Sequence, residues 1–204
     1  MAFMEYMRAG GAIMWIILGI SVLSAALVIE RLIFFAAASA NLVKLKDSFG
    51  AAMSEGGTDA ARSACAGYSS LRRLFSDALS NWHIDDEEMS TLLERRVDME
   101  LYRWEKNMSL LETAAKISPL LGLLGTVLGM VEMFRTLNMG GAINTAAVTG
   151  GIWKALFTTV AGLTVAIPVL VAHGFLSGWI NAQEETLRRG ADFLMRERAT
   201  RKAA

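Results

Sequence analysis

Residues 155–183 read ALFTTVAGLTVAIPVLVAHGFLSGWINAQ, a run without a single Asp, Glu, Lys or Arg. About 20 consecutive apolar residues let an α-helix cross the roughly 30 Å hydrocarbon core of a bilayer. This run is longer than that, and its glycines and proline are common in membrane-spanning helices. The sequence therefore predicts that this segment crosses a membrane.

Two further gaps between charges predict two more spans. No charged residue occurs at positions 9–29 or at positions 117–131. The second gap is short, so its helix crosses only if it continues through Glu132 to Phe134 and beyond. No alternating apolar and polar run is long enough to indicate a strand. The predicted fold class is an all-α membrane protein with three transmembrane helices.

The composition excludes several other classes of protein. Hydrophobic residues make up 53% of the chain and charged residues 20%, which excludes intrinsic disorder. Lys and Arg together number 20, as do Asp and Glu, so a net charge of zero argues against a nucleic-acid partner. A single cysteine, Cys65, forms no internal disulfide. Because no catalytic triad, P-loop or dinucleotide-binding motif occurs, we predict no enzyme activity, no cofactor and no metal site.

The first apolar run resembles a signal peptide in one respect only. Ala38, Ser39 and Ala40 form a small-residue pattern of the kind that signal peptidase cleaves. However, the apolar run exceeds a normal signal-peptide core, and Glu30 and Arg31 interrupt the approach to the cut. A retained membrane anchor is the preferred interpretation.

The distribution of Lys and Arg predicts the orientation. Only Arg8 precedes the first span, whereas Arg31, Lys44 and Lys46 follow it, and six basic residues follow the third span. Because cytoplasmic flanks carry the excess of positive charge, the N-terminus is predicted outside and the C-terminus inside. The predicted segments are a periplasmic N-terminus with the first span (1–40), a cytoplasmic helical region (41–116), a hairpin of two spans (117–183) and a cytoplasmic tail (184–204).

The cytoplasmic region is predicted to be helical, with a break at Gly56 and Gly57. Asp85, three residues before Glu88, resembles a capping box at the start of a helix. From there an apolar stripe recurs every three or four residues and predicts core packing, with a subunit contact as the alternative. The stripe comprises Met89, Leu93, Val97, Leu101, Trp104, Met108 and Leu111. No break is apparent before position 117, so the helix is predicted to run on into the second span, with a kink at Pro119.

Each of the last two spans has one face of small or polar residues. At about 100° per residue, the second span aligns Ser118, Gly122, Gly125 and Gly129. The third span aligns Ala155, Thr159, Gly162, Ala166, His173 and Ser177. Such faces allow helix backbones to approach closely in lipid, or meet a pore or a partner.

Two strings in these spans resemble the ExbB/TolQ/MotA proton-channel family, most closely its ExbB branch. They are PLLGLLGTVLGM at residues 119–130 and GIWKALFTTVAGLTVAIP at residues 151–168. Three spans, an outside N-terminus and a helical cytoplasmic insert also fit that family. The chain is shorter than the four-span MotA branch.

The resemblance implies a multi-pass protein of the bacterial inner membrane that forms a homo-oligomeric ring, a homopentamer in well-studied members, with long helices extending into the cytoplasm. It implies an ExbD-like single-span partner in the pore, with an aspartate that carries protons, and a TonB-like protein that transmits the work, together with contacts to membrane lipid. Thr126 and Thr159 match pore-lining threonines of the family. The full set of predicted proton-pathway residues is Thr126, Lys154, Thr158, Thr159 and His173, and the predicted helix-packing residues are Pro119, Gly122, Gly125, Gly129, Gly162 and Pro168.

Two positions depart from the family pattern. Lys154 stands where many relatives have glutamate, and we interpret it as a lysine that reaches towards water at the outer interface. The alternative is a positive ring at the pore mouth that pairs with a carboxylate of the partner. His173 with Gly174 replaces a pair that resembles Tyr-Asn in the family, and His173 is interpreted either as a proton-pathway residue or as a merely hydrogen-bonded side chain near the inner end of the span.

No Asp or Glu lies deep in a span, although such residues are the usual proton relays in membranes. The proton-carrying carboxylate is therefore predicted to belong to another chain. A TolQ-like role in envelope integrity and a purely structural membrane scaffold remain open as alternatives to the ExbB-like role.

Overall fold

The computed structural model describes residues 2–38, 41–138 and 145–203, and every regular element in these ranges is an α-helix. The helices are α1 (Ala2–Ala38), α2 (Leu42–Ala64), α3 (Ser70–Ser80), α4 (Asp86–Glu105), α5 (Met108–Asn138) and α6 (Thr145–Ala203). Within the described residues, three helical stretches are long and apolar enough to cross a membrane, and they fall within Gly11–Ser54, Asp86–Arg135 and Val148–Lys202. The all-α prediction is confirmed, and the number of helices suited to span a membrane agrees with the predicted three.

Several helix boundaries agree with the sequence prediction. The side chain of Asp85 accepts a hydrogen bond from the backbone N–H of Glu88 at 2.7 Å, so it caps α4 as predicted. Helix α5 continues through Glu132 and Phe134, as a spanning helix at this position requires. Helix α2 is interrupted at Gly57, which has a φ of 69°. Glycine adopts such a positive φ without strain, whereas most other residues do not.

One boundary was wrong in the prediction. Helices α4 and α5 are separate, because the chain leaves the helical conformation at Lys106 and Asn107. Asn107 has a φ of 64°, and asparagine tolerates this left-handed conformation better than most residues. Hydrophobic periodicity does not detect such a break, since the apolar stripe passes across it without a change of spacing.

The chain divides into two compact units. The first comprises Met1–Glu30 and Asn107–Phe175, and the second comprises Arg31–Lys106 and Leu176–Ala204. Helix α6 contributes to both units and contains 59 residues, which corresponds to about 88 Å at 1.5 Å per residue. That length far exceeds a hydrocarbon core of about 30 Å, so much of α6 lies outside the bilayer if it spans one.

The second unit has a conventional hydrophobic core. Phe49, Phe75 and Phe193 pack with ring centroids 5.5–6.1 Å apart, which joins α2, α3 and the C-terminal part of α6. The predicted stripe of α4 is buried here, with Met89, Leu93, Val97 and Trp104 all at most 2% exposed. The segment assigned from sequence to a C-terminal tail continues α6 and buries Leu187 and Leu194.

The same core contains a buried carboxylate. Glu100 is fully buried and forms ion pairs with Arg73 at 2.7 Å and Arg103 at 3.0 Å, and Arg96 lies 3.8 Å away. Arg73 belongs to α3, so the carboxylate links α3 to α4. Next to it, the indole N–H of Trp104 donates a hydrogen bond to Ser70 at 2.9 Å.

Candidate functional site

The contact between α5 and α6 in the first unit is made by small residues. A Cβ atom added at Gly162 would lie 2.5 Å from the carbonyl oxygen of Ser118. One added at Gly122 would lie 3.0 Å from the Cα of Thr159, and one at Gly129 would lie 3.2 Å from the Cβ of Ala155. Because these atoms belong to or adjoin the backbone, the two helices approach each other more closely than larger residues allow.

The small face predicted for α5 lies at this contact, together with part of the face predicted for α6. Thr158, which was not assigned to that face, is buried here, whereas Thr159 is half-buried. Ser118, Gly122, Gly125 and Gly129 of α5 are buried, and so are Ala155, Thr158, Gly162 and Ala166 of α6. The pairs Gly129–Ala155 and Gly122–Thr159 fix an antiparallel hairpin. Its turn, at residues 139–144, lies outside the described residues. The small face of α6 thus contacts a helix of its own chain.

Two threonine hydroxyls converge on one carbonyl of α5. The hydroxyl of Thr159 donates a hydrogen bond to the carbonyl oxygen of Gly122 at 3.2 Å. The hydroxyl of Thr158 lies 3.4 Å from the same oxygen and donates to Ala155 of its own helix at 2.7 Å. An interhelical hydrogen bond of this kind adds about 0.6 kcal/mol on average in a membrane bundle. Thr158 and Thr159 therefore help to hold α6 against α5.

Thr126 does not join this group. Its hydroxyl donates to the carbonyl of Leu123 on its own helix at 2.6 Å, which satisfies the group without a second helix. The side chain is half-buried, between the small face and exposed leucines such as Leu123 and Leu124. The structure thus brings Thr158 and Thr159 together and leaves Thr126 apart from them.

Lys154 forms an ion pair within the chain. Its ammonium nitrogen lies 2.9 Å from a carboxylate oxygen of Glu132, so one charge of each sign joins α6 to α5. Lys154 also passes near α1, because its Nζ would lie 3.9 Å from a Cβ added at Gly11. The sequence interpretation had Lys154 reaching to water and did not name Glu132 as its partner. The available signal was that position 132 lies near the end of the second span and position 154 near the start of the third, so both lie at the same end of the hairpin.

The remaining predicted site residues lie away from this contact. His173 is half-buried on α6 and has no hydrogen-bond partner among the described residues. Pro119 and Pro168 both lie inside continuous helices, where each removes one backbone donor. In the part of the chain that the structure describes, no group of three or more His, Cys, Asp or Glu side chains is placed to hold a metal ion.

The chemistry available at the contact is limited. Threonine hydroxyls and backbone carbonyls exchange hydrogen bonds with water, but they do not change charge near neutral pH. The one described ion pair across the hairpin lies at the end near the turn, and no Asp or Glu occurs between positions 155 and 183. The hairpin is thus equipped to line a polar path and poorly equipped to store a proton.

Comparisons with known proteins agree with the two strings that suggested a family. A model of the MotA/TolQ/ExbB proton channel family matches residues 67–189. An ExbB-like biopolymer transport protein from Synechocystis sp. is 35% identical over 166 residues, which cover 80% of this chain and 79% of that protein. The biopolymer transport protein exbB1 of Vibrio cholerae is 40% identical over 38% of this chain, and the Tol-Pal system protein TolQ of Haemophilus influenzae is 36% identical over 44%. The chain spans only 35% and 39% of the length of these last two relatives.

Proposed function

Because the chain belongs to the MotA/TolQ/ExbB proton channel family, we propose that it is the ring-forming subunit of a proton-driven motor in the bacterial inner membrane. In this proposal several copies, five by analogy with the family, surround an ExbD-like single-span partner. Protons that move down their gradient drive the partner relative to the ring, and a TonB-like protein transmits the work to outer-membrane transport.

The observation that carries the proposal is the construction of the α5–α6 hairpin. One side of each helix is used for the contact within the chain, and the other side exposes large apolar residues. Leu120, Leu123 and Val127 of α5 and Leu156, Val160 and Ile167 of α6 are 46–62% exposed. In a ring these faces would contact neighbouring copies, the partner or lipid.

The proposed path runs beside the threonines. Thr126 and Thr159, both half-buried, supply polar groups at this depth, and the titrating carboxylate comes from the partner. Thr158, which the sequence assigned to the pathway, is 1% exposed inside the α5–α6 contact and is proposed only to hold the two helices together. A membrane potential of 100 mV is worth about 2.3 kcal/mol for each proton that crosses. In this arrangement the chain provides the wall of the path and the partner provides the proton carrier.

The proposed orientation follows from the basic residues. The N-terminus faces the periplasm, α2–α4 and the end of α6 lie in the cytoplasm, and the hairpin turn lies outside. The four segments are those given from the sequence: 1–40, 41–116, 117–183 and 184–204.

A TolQ-like role is the second candidate, because the H. influenzae TolQ protein is also a relative. The two roles differ in the periplasm-spanning protein that is engaged. The genes next to that of this chain would separate them, an ExbD and TonB pair against a Tol–Pal cluster.

The test is native mass spectrometry of the protein purified gently from its own membranes, with co-purifying chains identified. We expect a ring of several copies that holds a small single-span protein with an intramembrane aspartate. Reconstituted proton flux should require both chains and should fall when Thr159 is replaced by valine. A partnerless assembly in several mild detergents, without proton flux, would favour a structural scaffold instead. Thr159→Val flux equal to wild type would remove Thr159 from the path.

A further inference from the structure

A cleft of about 630 Å³ lies in the second unit, beside the end of α1. It is lined by Ala37 of α1, by the first turns of α2, and by the connection between α2 and α3. Its polar lining residues are Asn41, Lys44, Ser48, Tyr68, Ser69 and Arg72. Among the residues that the structure describes, no Asp or Glu lines it, so the two cations give the cleft a positive charge.

The cations of this cleft are not neutralised by the described part of the chain. Lys44 is exposed and forms no ion pair among the described residues. Arg72 donates from Nη1 to the carbonyl oxygens of Ala66 at 2.7 Å and Ala64 at 3.3 Å. Its Nε and Nη2 donors have no partner among the described residues, and no carboxylate pairs with it there.

Neighbouring polar groups face the cleft mainly as donors. The carbonyl oxygen of the Asn41 side chain already accepts from the backbone N–H groups of Val43 and Lys44, which leaves its NH₂ group as a donor. The oxygen of Ser69 accepts from the N–H of Arg72, which leaves its own proton to donate. A set of cations and donors without an acidic residue favours an anion with several oxygens, such as a phosphate group.

The cleft is a built feature of the chain. Gly67 has a φ of 150°, and a Cβ atom there would lie 2.6 Å from Cδ of Arg72. The arginine side chain therefore lies across the glycine backbone. A second cleft of this unit, of about 710 Å³, is lined by Asp77, Asp85, Glu87 and Glu88 with two arginines, and its charge does not favour an anion.

The position along the chain indicates where the anion comes from. Ala37 belongs to the apolar residues 32–38 that end α1, after Glu30 and Arg31, so the cleft opens on the side of the bilayer that the end of α1 reaches. Tyr68 is 93% exposed, and tyrosine is enriched at the level of lipid headgroups. We propose that this cleft binds the phosphate group of an anionic phospholipid in the leaflet that the end of α1 reaches. The proposal requires only that α1 spans the membrane and does not depend on the motor function.

The test uses the full chain, depleted of lipid in detergent and titrated with phosphatidylglycerol or phosphatidylcholine, with bound lipid counted by native mass spectrometry. We expect wild type to retain one more phosphatidylglycerol than phosphatidylcholine per chain. Lys44→Gln should weaken this binding about fivefold, the effect expected of one cation at a membrane surface, and Lys44→Arg should keep it.

Lys46→Gln is the matched control. It removes the same charge two residues away, from an ammonium group that lies 4.9 Å from the ring of Phe193 and does not line the cleft. Because Arg72 also binds carbonyls that follow α2, Arg72→Gln is informative only where its melting temperature equals that of wild type, and Lys44→Gln carries the test.

Three outcomes would overturn the proposal. Equal retention of the two lipids would show that the cleft does not select a net negative charge. An equal loss in Lys44→Gln and Lys46→Gln would assign the effect to overall charge. Inorganic phosphate that displaces phosphatidylglycerol at millimolar concentration, with equal thermal protection, would assign the cleft to a soluble phosphate and not to a lipid.

Discussion

The helices of the first unit and those of the second unit pack through different kinds of residue. In the first unit α5 and α6 contact each other through glycines, an alanine and threonines, with backbone atoms in van der Waals contact. In the second unit the helices are joined by fully buried large side chains such as Phe49, Phe75 and Trp104, and by the buried carboxylate of Glu100. The difference agrees with the proposed topology, because burying a large apolar side chain gains little when lipid is the alternative, whereas it gains much in water.

The largest effect is expected at Gly162. Replacing it by valine places a Cβ 2.5 Å from the carbonyl oxygen of Ser118, and a helix backbone cannot rotate away as a side chain does. We expect a loss of at least about 3 kcal/mol, the upper end of the usual range for overpacking, and little protein that elutes as a single species.

Gly174→Val is the control for this substitution. Gly174 lies on the same helix, and a Cβ there would have no neighbour within 4 Å in the described part of the chain. Both variants replace glycine by valine within α6, so the change in intrinsic helix propensity is the same in both. Equal melting temperatures for the Gly162 and Gly174 variants would contradict the close approach of α5 and α6.

The second effect tests the second unit, at Glu100. Glu100→Gln keeps the shape of the side chain but removes the charge that Arg73, Arg96 and Arg103 share. We expect a loss of about 2 kcal/mol, as for hydrogen bonds to a charged group, since all three guanidinium groups keep contact with solvent. Thermal unfolding of the full chain measures it. Glu105→Gln is the control, because Glu105 is exposed at the end of the same helix.

The third effect is smaller and concerns the ion pair at the turn end of the hairpin. Lys154→Glu places two carboxylates together and should cost about 1 kcal/mol, since both side chains keep part of their surface exposed. The double variant Glu132→Lys with Lys154→Glu restores an opposite pair and should recover most of that loss. Failure of the double variant to recover would mean that Lys154 pairs with a carboxylate of another subunit, the alternative that the sequence left open.

The fold class could be predicted from the sequence because charge-free runs and small-residue faces can be recognised within a short stretch of the chain. The spans, the cap at Asp85 and the break at Gly57 are all local features of this kind. The separation of α4 from α5 was missed because it depends on the backbone angles of Asn107, which periodicity does not report.

The candidate site was predictable only in its residue types. Periodicity places Gly122, Thr158 and Thr159 on helices, but which hydroxyl reaches which carbonyl depends on the register of the hairpin. The pairing of Lys154 with Glu132 and that of Arg73 with Glu100 depend on contacts 22 and 27 residues apart in the chain. Glu100 did carry a signal, since it follows Val97 by three residues and precedes Trp104 by four, within the buried stripe of α4.

The smallest effect is chemical and uses Cys65 as a probe of packing in the second unit. The thiol is fully buried at the end of α2, and burial raises the pKa of Cys65 to about 11, although the nearby Arg72 acts in the opposite direction. At pH 8 the thiolate is then on the order of a hundredfold rarer than for a free cysteine, and the thiolate is the reactive form. We expect slow labelling by a maleimide in the native chain and complete labelling after denaturation.

Native labelling should speed up as the pH rises from 9 towards 11, because deprotonation follows the raised pKa. Glu100→Gln should also accelerate it at pH 8 if the second unit opens cooperatively, whereas Lys154→Glu in the first unit should leave the rate unchanged. Equal acceleration by both variants would show that the two units, despite their different packing, unfold as one.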